Sequence, residues 1–399
     1  MTSEIMEQAD RVIAKTYKRF PVVLAKGAGC TLVDTRGRSY TDFVAGIAVC
    51  NLGHSHEGVA RAISTQAQTL THVSNLYYTI PQVELAAWLV QHSFADRAFF
   101  CNSGAEANEA AIKLARKYFN DGGENRRFRI ITMEQSFHGR TMATLSATGQ
   151  DKIKKGFDPV LEGFDYVPFN NIDALRSKID SNTCAVMLEP IQGEGGVRCP
   201  DPGYLEAVRQ ICDEKGVLLI FDEIQTGMGR TGKLFAYEHN DVEPDIMTLA
   251  KALANGLPIG AMLAREQVAE AFGPGSHATT FGGSPLVTAA ALKVCRTLVQ
   301  GNVIDQGREA GAYFREKLLW LKERHDVIAE FRGQGLLLGI KLAIKGESLV
   351  NQCLQRGFLI NCIQENILRF VPPLIVKTEE IDALIECLDE LLEQLEDQK

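Results

Sequence analysis

The chain has 399 residues, of which 45% are hydrophobic and 23% charged, and its formal net charge is -8. This length suits one large domain with a smaller one, because single hydrophobic cores stop growing near ~250–300 residues. The negative charge argues against a nucleic-acid partner. No apolar run approaches the ~20 residues that span a bilayer, which argues against a membrane protein. Residues 1–10 are polar and contain no apolar signal core.

Turn-like and strand-like segments open the chain. The tetrapeptides K-G-A-G at 26–29 and D-T-R-G at 34–37 predict turns between short strands. From residue 57 to 298 the pattern alternates between strands and helices, which predicts an α/β domain with a mostly parallel sheet. Apolar runs typical of buried strands occupy residues 98–100, 129–131, 185–188 and 217–221. Two segments have apolar residues at helical spacing and are predicted to be helices. The first contains Ala107, Ala111, Leu114, Ala115 and Tyr118, and the second contains Leu205, Val208, Ile211 and Cys212 and ends at Gly216.

The pattern changes after about residue 301. Helical stretches flank strand-like runs at 336–340 and 358–360, and residues 378–396 carry apolar side chains on one helical face. We therefore predict two domains, a large α/β domain of residues 50–298 and a small α+β domain formed by residues 1–49 and 299–399.

Two residues stand where a reactive group could be held. Asp222 ends a strongly apolar strand, and ligands of open α/β sheets bind outside the carboxyl ends of strands. For an isolated Asp, capping of the next turn is the more common role. Lys251 lies among apolar and small residues, where desolvation would make its amine a nucleophile toward a carbonyl. By itself, such a lysine could equally extend from a helix edge to solvent.

Residues 102–109 follow a predicted strand and open a predicted helix. Ser103, Gly104 and Ala105 would present backbone N–H groups at the helix N-terminus, where an anion such as phosphate is favoured. A simple N-cap by Ser103, with acidic residues in the first turn, fits these residues equally well. The sequence leaves both interpretations open at this point.

The segment 227–232 matches the dinucleotide-binding pattern G-x-G-x-x-G, and Lys233 nearly completes a P-loop. Position 234 is Leu rather than the Ser or Thr that a P-loop needs, and Pro244 follows too soon for a long helix. A nucleotide-binding enzyme is therefore disfavoured, and a flexible or tightly turning active-site loop is the preferred interpretation.

Metal sites are not expected. The ten cysteines form no C-x-x-C pair, which indicates reduced, buried thiols of a cytoplasmic protein. His54 and His56 could suggest a metal site, but no carboxylate or cysteine completes it locally, and a structural or surface role is favoured.

Taken together, these segments resemble the class III, or ornithine-type, aminotransferases over essentially the whole chain. The motifs that carry the resemblance are N-S-G-A-E-A-N at 102–108, F-H-G-R-T at 137–141, E-P-I-Q-G-E-G-G at 189–196, D-E-I-Q-T-G at 222–227, Lys251, T-T-F-G-G at 279–283 and R-F-V-P-P-L at 369–374. Each alone is weak, but their order makes coincidence very improbable. The resemblance implies the fold type I of pyridoxal-phosphate (PLP) transferases, with a mostly parallel central sheet and a small α+β domain.

The family's residue roles carry over to matching positions. Lys251 would bind PLP covalently and move protons, and Asp222 would pair with the pyridinium nitrogen so that the ring acts as an electron sink. The remaining cofactor contacts implied by the resemblance are the phosphate ligands Ser103, Gly104 and Ala105, the ring neighbours Phe137 and Ile224, Gln225 at the ring hydroxyl, and Thr280 from a second subunit. That last contact implies a homodimer with shared active sites.

The resemblance also implies how two unlike substrates share one site. Arg140 would bind the distant α-carboxylate of an ω-amine donor, and Arg369 the α-carboxylate of 2-oxoglutarate, because the arginine fork matches a carboxylate. Glu194 would neutralise Arg369 when the donor is bound, and Thr279 would contact substrate. A structural ion pair is the minor alternative for both arginines.

Several segments bear on the identity of the donor. Within the family, residues 73–78, 143–150 and 255–262 favour members that transfer the δ-amino group of N2-acetyl-L-ornithine to 2-oxoglutarate, a step of arginine biosynthesis. Tyr17 matches a substrate-binding position of ornithine aminotransferases, so ornithine stays open, as do N-succinyl-diaminopimelate and, more distantly, 4-aminobutyrate. A non-catalytic homologue would usually lack Lys251 or Asp222, and both are present.

Overall fold

The structure is a computed structural model that describes residues 2–396. Its N-terminal strands, β1 (Leu24–Ala28), β2 (Thr31–Asp34) and β3 (Ser39–Asp42), form antiparallel hairpins. The turn predicted at residues 34–37 lies between β2 and β3. The turn predicted at 26–29 is wrong in part, because β1 continues through Ala28 and the chain reverses at Gly29, whose φ of 57° suits glycine.

A seven-stranded sheet forms the centre of the molecule. Its strands are β4 (Arg97–Cys101), β5 (Arg129–Met133), β6 (Phe164–Val167), β7 (Thr183–Leu188), β8 (Leu218–Asp222), β9 (Ile246–Leu249) and β10 (Gly260–Ala264), in the order β4-β10-β9-β8-β7-β5-β6. Only β10 runs opposite to the other six strands, so the expectation of a mostly parallel sheet is confirmed. Every residue of β7 and β8 is buried, as expected for strands covered on both faces.

A third sheet lies in the C-terminal part. Its strands are β11 (Ile328–Gln334), β12 (Leu337–Leu342), β14 (Asn361–Ile363) and β15 (Ile367–Phe370), in the antiparallel order β11-β12-β15-β14. The short strand β13 (Phe358–Leu359) instead joins the N-terminal sheet, where it pairs parallel with β3. Both ends of the chain thus contribute to one sheet, and the predicted division into two domains stays a prediction.

The helices surround these sheets. They are α1 (Thr2–Val12), α2 (Ala45–Ala48), α3 (Glu57–Thr69), α4 (Ile80–Gln91), α5 (Gly104–Asp121), α6 (Met142–Ala147), α7 (Asp151–Lys154), α8 (Ile172–Lys178), α9 (Tyr204–Lys215), α10 (Glu266–Ala269), α11 (Pro285–Gln300), α12 (Val303–Arg324), α13 (Glu347–Gln355) and α14 (Thr378–Glu396), with 3₁₀ turns at Ser74–Leu76, Ala236–His239 and Lys251–Ala254. Within residues 2–396, none of the helices has the length and apolar character needed to cross a membrane.

Local sequence explains the best-predicted helices. In α5 the alanines and Leu114 that recur every three or four residues are buried, and Ser103 caps the first turn by accepting from the Glu106 N–H. Helix α9 ends at Gly216, whose φ of 60° is left-handed. The element α2 is different, because its four residues all have positive φ and form a single left-handed turn.

Candidate active site

A cavity of about 460 Å³ opens at the carboxyl edge of the central sheet. This is the edge at which parallel α/β sheets bind ligands, because the loops that follow the strands converge there. The reversed strand β10 brings its preceding segment, residues 256–259, to the same edge. The predicted site residues that line the cavity are Ser103, Gly104, Ala105, Phe137, Arg140, Asp222, Ile224, Gln225 and Lys251.

Asp222 is fixed at the end of β8 by three donors. Its Oδ2 accepts from Asn108 Nδ2 and lies 2.8 Å from His138 Nδ1, and its Oδ1 accepts from the Ile224 N–H at 3.1 Å. Asn108 is itself held, since its Oδ1 accepts from the Thr248 hydroxyl at 2.7 Å. Asp222 is only 3% exposed, so its carboxylate has a single orientation toward the cavity that it lines.

Lys251 begins the 3₁₀ turn that follows β9, and its φ of 46° is left-handed. Burial lowers the pKa of its amine, which the Glu194 carboxylate raises and the Arg369 guanidinium lowers again. The net direction is downward, so a larger share of the amine is neutral near neutral pH than for an ordinary lysine. A neutral lysine amine at the base of a cavity is a nucleophile toward carbonyls.

The N-terminus of α5 forms another wall of the cavity. Ser103, Gly104 and Ala105 lie here with backbone N–H groups that have no partner within the first helical turn. Gly104 cannot be replaced freely, because a Cβ there would stand 2.7 Å from Ile224 Cδ1. Ser103 both caps the helix and lines the cavity, and its predicted contact with a phosphate stays a prediction.

Arg369 and Glu194 lie beyond Gln225 and do not line the cavity themselves. Arg369 on β15 is 1% exposed, and its Nη1 donates to Glu194 Oε1 at 2.5 Å and to Gln225 Oε1 at 3.2 Å. Burial alone would raise the pKa of Glu194, but the charges of Arg369 and Lys251 outweigh it and lower that pKa. Glu194 thus carries the negative charge that pairs with Arg369.

Arg140 differs from Arg369 in its surroundings. It is exposed, lines the cavity, and holds its guanidinium carbon 5.6 Å from the centre of the Phe137 ring. In the described part of the chain, no carboxylate forms an ion pair with it. The site therefore contains one arginine that is masked by an acid and one that is open to a ligand.

Thr279 and Thr280 lie outside this cavity. The Thr279 hydroxyl accepts from Asn102 Nδ2 at 3.2 Å, and Asn102 does line the cavity, whereas Thr280 is exposed. Tyr17 is 76% exposed and lies outside the cavity as well. The predicted contacts of these residues with cofactor or substrate stay predictions.

The glycine-rich segment 227–232 is not an active-site loop, and that interpretation is wrong. None of its residues lines the cavity, and Arg230 within it is 1% exposed. The Arg230 guanidinium donates to the carbonyl groups of Leu336 and Pro372 at 3.0 and 2.6 Å, so the segment holds the C-terminal sheet against the central sheet. Gly335 packs so closely on Thr231 that a Cβ would lie 2.4 Å from its carbonyl carbon.

The two histidines considered for a metal have structural contacts. His54 Nε2 lies 2.7 Å from Asp42 Oδ2, and His56 Nδ1 accepts from the Val59 N–H at the start of α3. Asp42 also accepts from the backbone N–H groups of Val44 and Ala45, which begin the left-handed turn.

Sequence reasoning assigned no role to three residues that the structure places at the site: Asn108, His138 and Glu189. Asn108 lies one helical turn after Gly104, and His138 and Glu189 stand inside motifs that were recognised for their neighbours. The helical spacing from Gly104 to Asn108 is a signal that could have located Asn108.

Comparisons with known proteins identify the family. The family described as Aminotransferase class-III has a model that matches residues 12–392. The chain belongs to the class III aminotransferases. The acetylornithine aminotransferase of Methanocaldococcus jannaschii is similar to this chain, with 53% identity over 384 residues. The aligned part covers 95% of this chain and 95% of that protein.

Solved structures agree with this assignment. The ornithine aminotransferase of Toxoplasma gondii ME49 has a TM-score of 0.96 and 33% identity, with 100% of this chain and 96% of that chain covered. The N-acetylornithine aminotransferase of Stenotrophomonas maltophilia K279a has a TM-score of 0.85 and 37% identity, with 99% and 100% covered.

Class III aminotransferases use pyridoxal 5'-phosphate, and the residues of this cavity fit it. The group needs a lysine amine for its carbonyl carbon, a carboxylate for its ring nitrogen and an anion site for its phosphate. Lys251, Asp222 and the N-terminus of α5 line one cavity and supply these three features. The closeness of Ile224 to Gly104 leaves no room for a side chain at position 104, so the backbone there stays accessible to a phosphate.

Proposed function

We propose that this enzyme transfers the δ-amino group of N2-acetyl-L-ornithine to 2-oxoglutarate, giving N-acetyl-L-glutamate 5-semialdehyde and L-glutamate in arginine biosynthesis. The observation that carries the proposal is that Arg369 is paired with Glu194, whereas Arg140 is exposed at the cavity. The donor presents one distant carboxylate, which the open Arg140 can bind, whereas 2-oxoglutarate presents two and requires a second cation. Arg369 supplies that cation once Glu194 releases it.

The relatives support acetylornithine over ornithine as the donor. The acetylornithine aminotransferases of Methanocaldococcus jannaschii and Caldanaerobacter subterraneus are 53% and 51% identical to this chain, whereas the Toxoplasma gondii ornithine aminotransferase is 33% identical. The higher TM-score of that ornithine enzyme does not weigh against this, because one fold supports several substrates.

In the proposed mechanism, bound pyridoxal phosphate supplies an electron sink that makes the C–H bond next to the transferred nitrogen acidic. The Lys251 amine would accept the proton from that carbon and donate it back, and its lowered pKa suits a group that exchanges a proton near neutral pH. Asp222, which accepts from Asn108 and contacts His138, would keep the ring nitrogen of the bound group protonated. Phe137 and Ile224 would hold the ring, and Gln225 would contact its hydroxyl.

The Glu194–Arg369 pair would regulate which substrate is bound. With the amino donor present, the pair stays closed, so that no unpaired guanidinium faces an apolar part of the ligand. With 2-oxoglutarate present, Arg369 exchanges Glu194 for the substrate carboxylate, and the charge of Arg369 stays balanced throughout. One site can therefore accept ligands that differ by one carboxylate group.

We further propose a homodimer in which Thr280 contacts the phosphate bound by the other subunit. Residues 76–80 expose apolar side chains, with Leu76 at 82%, Tyr78 at 99% and Ile80 at 74%. Asn75 Nδ2 donates to the Gly282 carbonyl at 2.9 Å, so this segment adjoins the one that contains Thr280. Exposed apolar side chains of this kind are typical of a protein interface, which supports a partner subunit near Thr280.

A half-reaction experiment tests the substrate. Purified holoenzyme is mixed separately with N2-acetyl-L-ornithine, L-ornithine, N-succinyl-diaminopimelate and 4-aminobutyrate, without 2-oxoglutarate, and loss of the visible absorbance of the bound cofactor is followed in single turnover. Fastest loss at low concentration of acetylornithine supports the proposal. If another donor causes faster loss, the enzyme is still an aminotransferase, but its amino donor is not N2-acetyl-L-ornithine. If no donor causes loss, the proposed transamination is wrong.

A further inference from the structure

Glu189 joins two segments of the active site that are distant in sequence. It follows β7 directly, lines the cavity and is 5% exposed. Its Oε1 accepts from the Phe137 N–H at 2.9 Å, and its Oε2 accepts from the Gly193 N–H at 3.1 Å. Each carboxylate oxygen therefore holds the backbone of a different loop.

The two loops perform different tasks in the proposed reaction. Phe137 lies against the cavity, and Gly193 precedes Glu194, the partner of Arg369. The backbone of Gly193 is packed on Gln225, since a Cβ at position 193 would lie 2.2 Å from Gln225 Oε1. That oxygen also accepts from Arg369 at 3.2 Å, so a shift of Gly193 would move both partners of the guanidinium.

We propose that Glu189 is a positioning residue that fixes the ring-contacting loop and the Glu194–Arg369 pair relative to each other, and thereby sets the affinity of the site for a dicarboxylate acceptor. This inference rests on the proposed function of that pair. Glu189 does not have to touch substrate for this role, because it acts through the backbone at Phe137 and Gly193.

The charges around Glu189 are consistent with a carboxylate that needs its two N–H partners. Burial and the Asp222 carboxylate raise the pKa of Glu189, and His138 together with the two backbone donors lowers it only in part, so that the pKa is raised to about 7. The N–H groups of Phe137 and Gly193 thus offset part of the cost of a buried charge. Removal of that charge would leave one of these backbone donors without an acceptor.

The variant Glu189→Gln keeps the size of the side chain but has only one amide oxygen. In either orientation, its NH₂ group faces one of the two backbone N–H groups, so that one loop is released. The chain offers a matched control in Glu223, which is 1% exposed and accepts from the backbone N–H groups of Ala236 and Tyr237 at 2.6 and 2.8 Å. Glu223→Gln loses the same kind of contact away from the cavity.

The measurements are the visible circular dichroism of the bound cofactor, the dissociation constant of glutarate as an unreactive dicarboxylate, and the thermal midpoint. We expect both variants to be destabilised. Only Glu189→Gln should change the dichroism, and it should weaken glutarate binding by roughly 10–100-fold, the effect of losing a hydrogen bond to a charged group. If Glu189→Gln and Glu223→Gln gave equal dichroism and equal glutarate affinity, Glu189 would be a purely structural residue and the proposal would be wrong.

Two further comparisons remove the remaining ambiguities. In a Glu194→Ala background, Glu189→Gln should alter glutarate affinity less than in the wild type, because the part of its effect that passes through Glu194 is lost; full retention of the effect would contradict the proposal. If Glu189→Gln does not fold, Glu189→Asp replaces it, and an unchanged glutarate affinity in that shortened acid overturns the inference. Should the wild-type protein not bind glutarate, the acceptor assignment of the proposed function fails, and the cofactor dichroism of the two variants still decides the role of Glu189.

Discussion

Charge placement at single residues distinguishes this site. Asp222 is held by three donors, and Lys251 is buried. Arg369 donates hydrogen bonds to Glu194 and Gln225. The side chains of Asp222 and Arg369 are thus held by hydrogen bonds within the protein. The site is therefore preorganised, which reduces the reorganisation needed when ligand binds.

Lys251→Ala should abolish transamination while the protein still binds cofactor. The variant loses the proton-transferring amine, and we expect turnover to fall by about 10⁴-fold, since general base catalysis alone contributes up to that factor. The phosphate and ring contacts are untouched, so cofactor retention can be checked by absorbance after gel filtration. Turnover within tenfold of the wild type would contradict the assignment of Lys251.

Substitutions of Arg369 and Arg140 should affect the KM values of different substrates. Arg369→Ala should raise the KM for 2-oxoglutarate by roughly 10–100-fold, because a charge-assisted contact is lost, with a smaller effect on the donor. Arg140→Ala should raise the KM for N2-acetyl-L-ornithine by a similar factor instead. Steady-state kinetics with one substrate varied at a time measure both constants. Parallel increases of both KM values in both variants would argue against separate roles.

The sequence predicted residues such as Asp222 and Lys251, whose roles follow from their own type and position. It did not predict Asn108, His138 and Glu189, which contact other residues of the site. Asp222 could be found because a carboxylate ends an apolar strand, and nine of the predicted residues do line the cavity. The contact of Asp222 with His138 spans 84 positions along the chain, and that of Glu189 with Phe137 spans 52. No local pattern encodes contacts of this separation.

Among the structural elements, the left-handed turn α2 depends on Asp42. Three non-glycine residues of this turn have positive φ, which costs free energy. Asp42 accepts from the N–H groups of Val44, which precedes the turn, and of Ala45, its first residue, and contacts His54 with its second oxygen. These contacts hold the turn next to Val49, which lines the cavity.

The His54–Asp42 contact should make stability depend on pH. Hydrogen bonds to Asp42 and Cys50 raise the pKa of His54 to about 9. Because protonated His54 is favoured in the folded state, its contribution is fully present below the unfolded pKa of about 6.5 and is lost as pH rises through 9. Urea denaturation across this range should show a falling free energy of unfolding, by about 1–3 kcal/mol.

Two variants serve as controls for this pH dependence. His54→Asn and Asp42→Asn should each flatten the decline between pH 6.5 and 9, since each removes one member of the pair. A decline that persists in both variants would assign the pH dependence to other groups.

Elements with a regular apolar pattern were predicted well, and those defined by backbone geometry were not. Helices α5 and α9 and strands β7 and β8 all coincide with predicted segments, because burial repeats at a fixed spacing. In contrast, K-G-A-G at 26–29 contains two glycines, yet only Gly29 has a positive φ, and Gly27 continues the strand. Glycine content alone did not locate the turn.

The proposed dimer makes a prediction for the whole molecule. Leu76→Asp combined with Tyr78→Asp places two charges on the exposed apolar segment, which should yield monomers at concentrations where the wild type is dimeric. Activity should fall in parallel, because Thr280 could no longer reach the partner's site. Sedimentation velocity measures the mass, and Phe157→Asp, another exposed apolar position at 57%, serves as the control. Active monomers would rule out shared active sites.

The arrangement of the whole molecule was predicted in outline. The alternation of strand and helix patterns predicted the mostly parallel sheet, which the structure confirms. The glycine-rich segment 227–232 was misassigned, because its pattern does not reveal that Arg230 packs beneath the C-terminal sheet. Such packing depends on residues more than a hundred positions away, which a local motif cannot indicate.

The pairing of β3 with β13 affects how the protein is made. Thr41 lies opposite Phe358 in this parallel pair. At about 5–20 residues per second, the roughly 300 residues between them take on the order of 15–60 s to synthesise. During this time, the nascent N-terminal hairpins have an unpaired strand edge, which is a surface prone to aggregation. The emerging chain therefore exposes this edge until the residues of β13 have been synthesised.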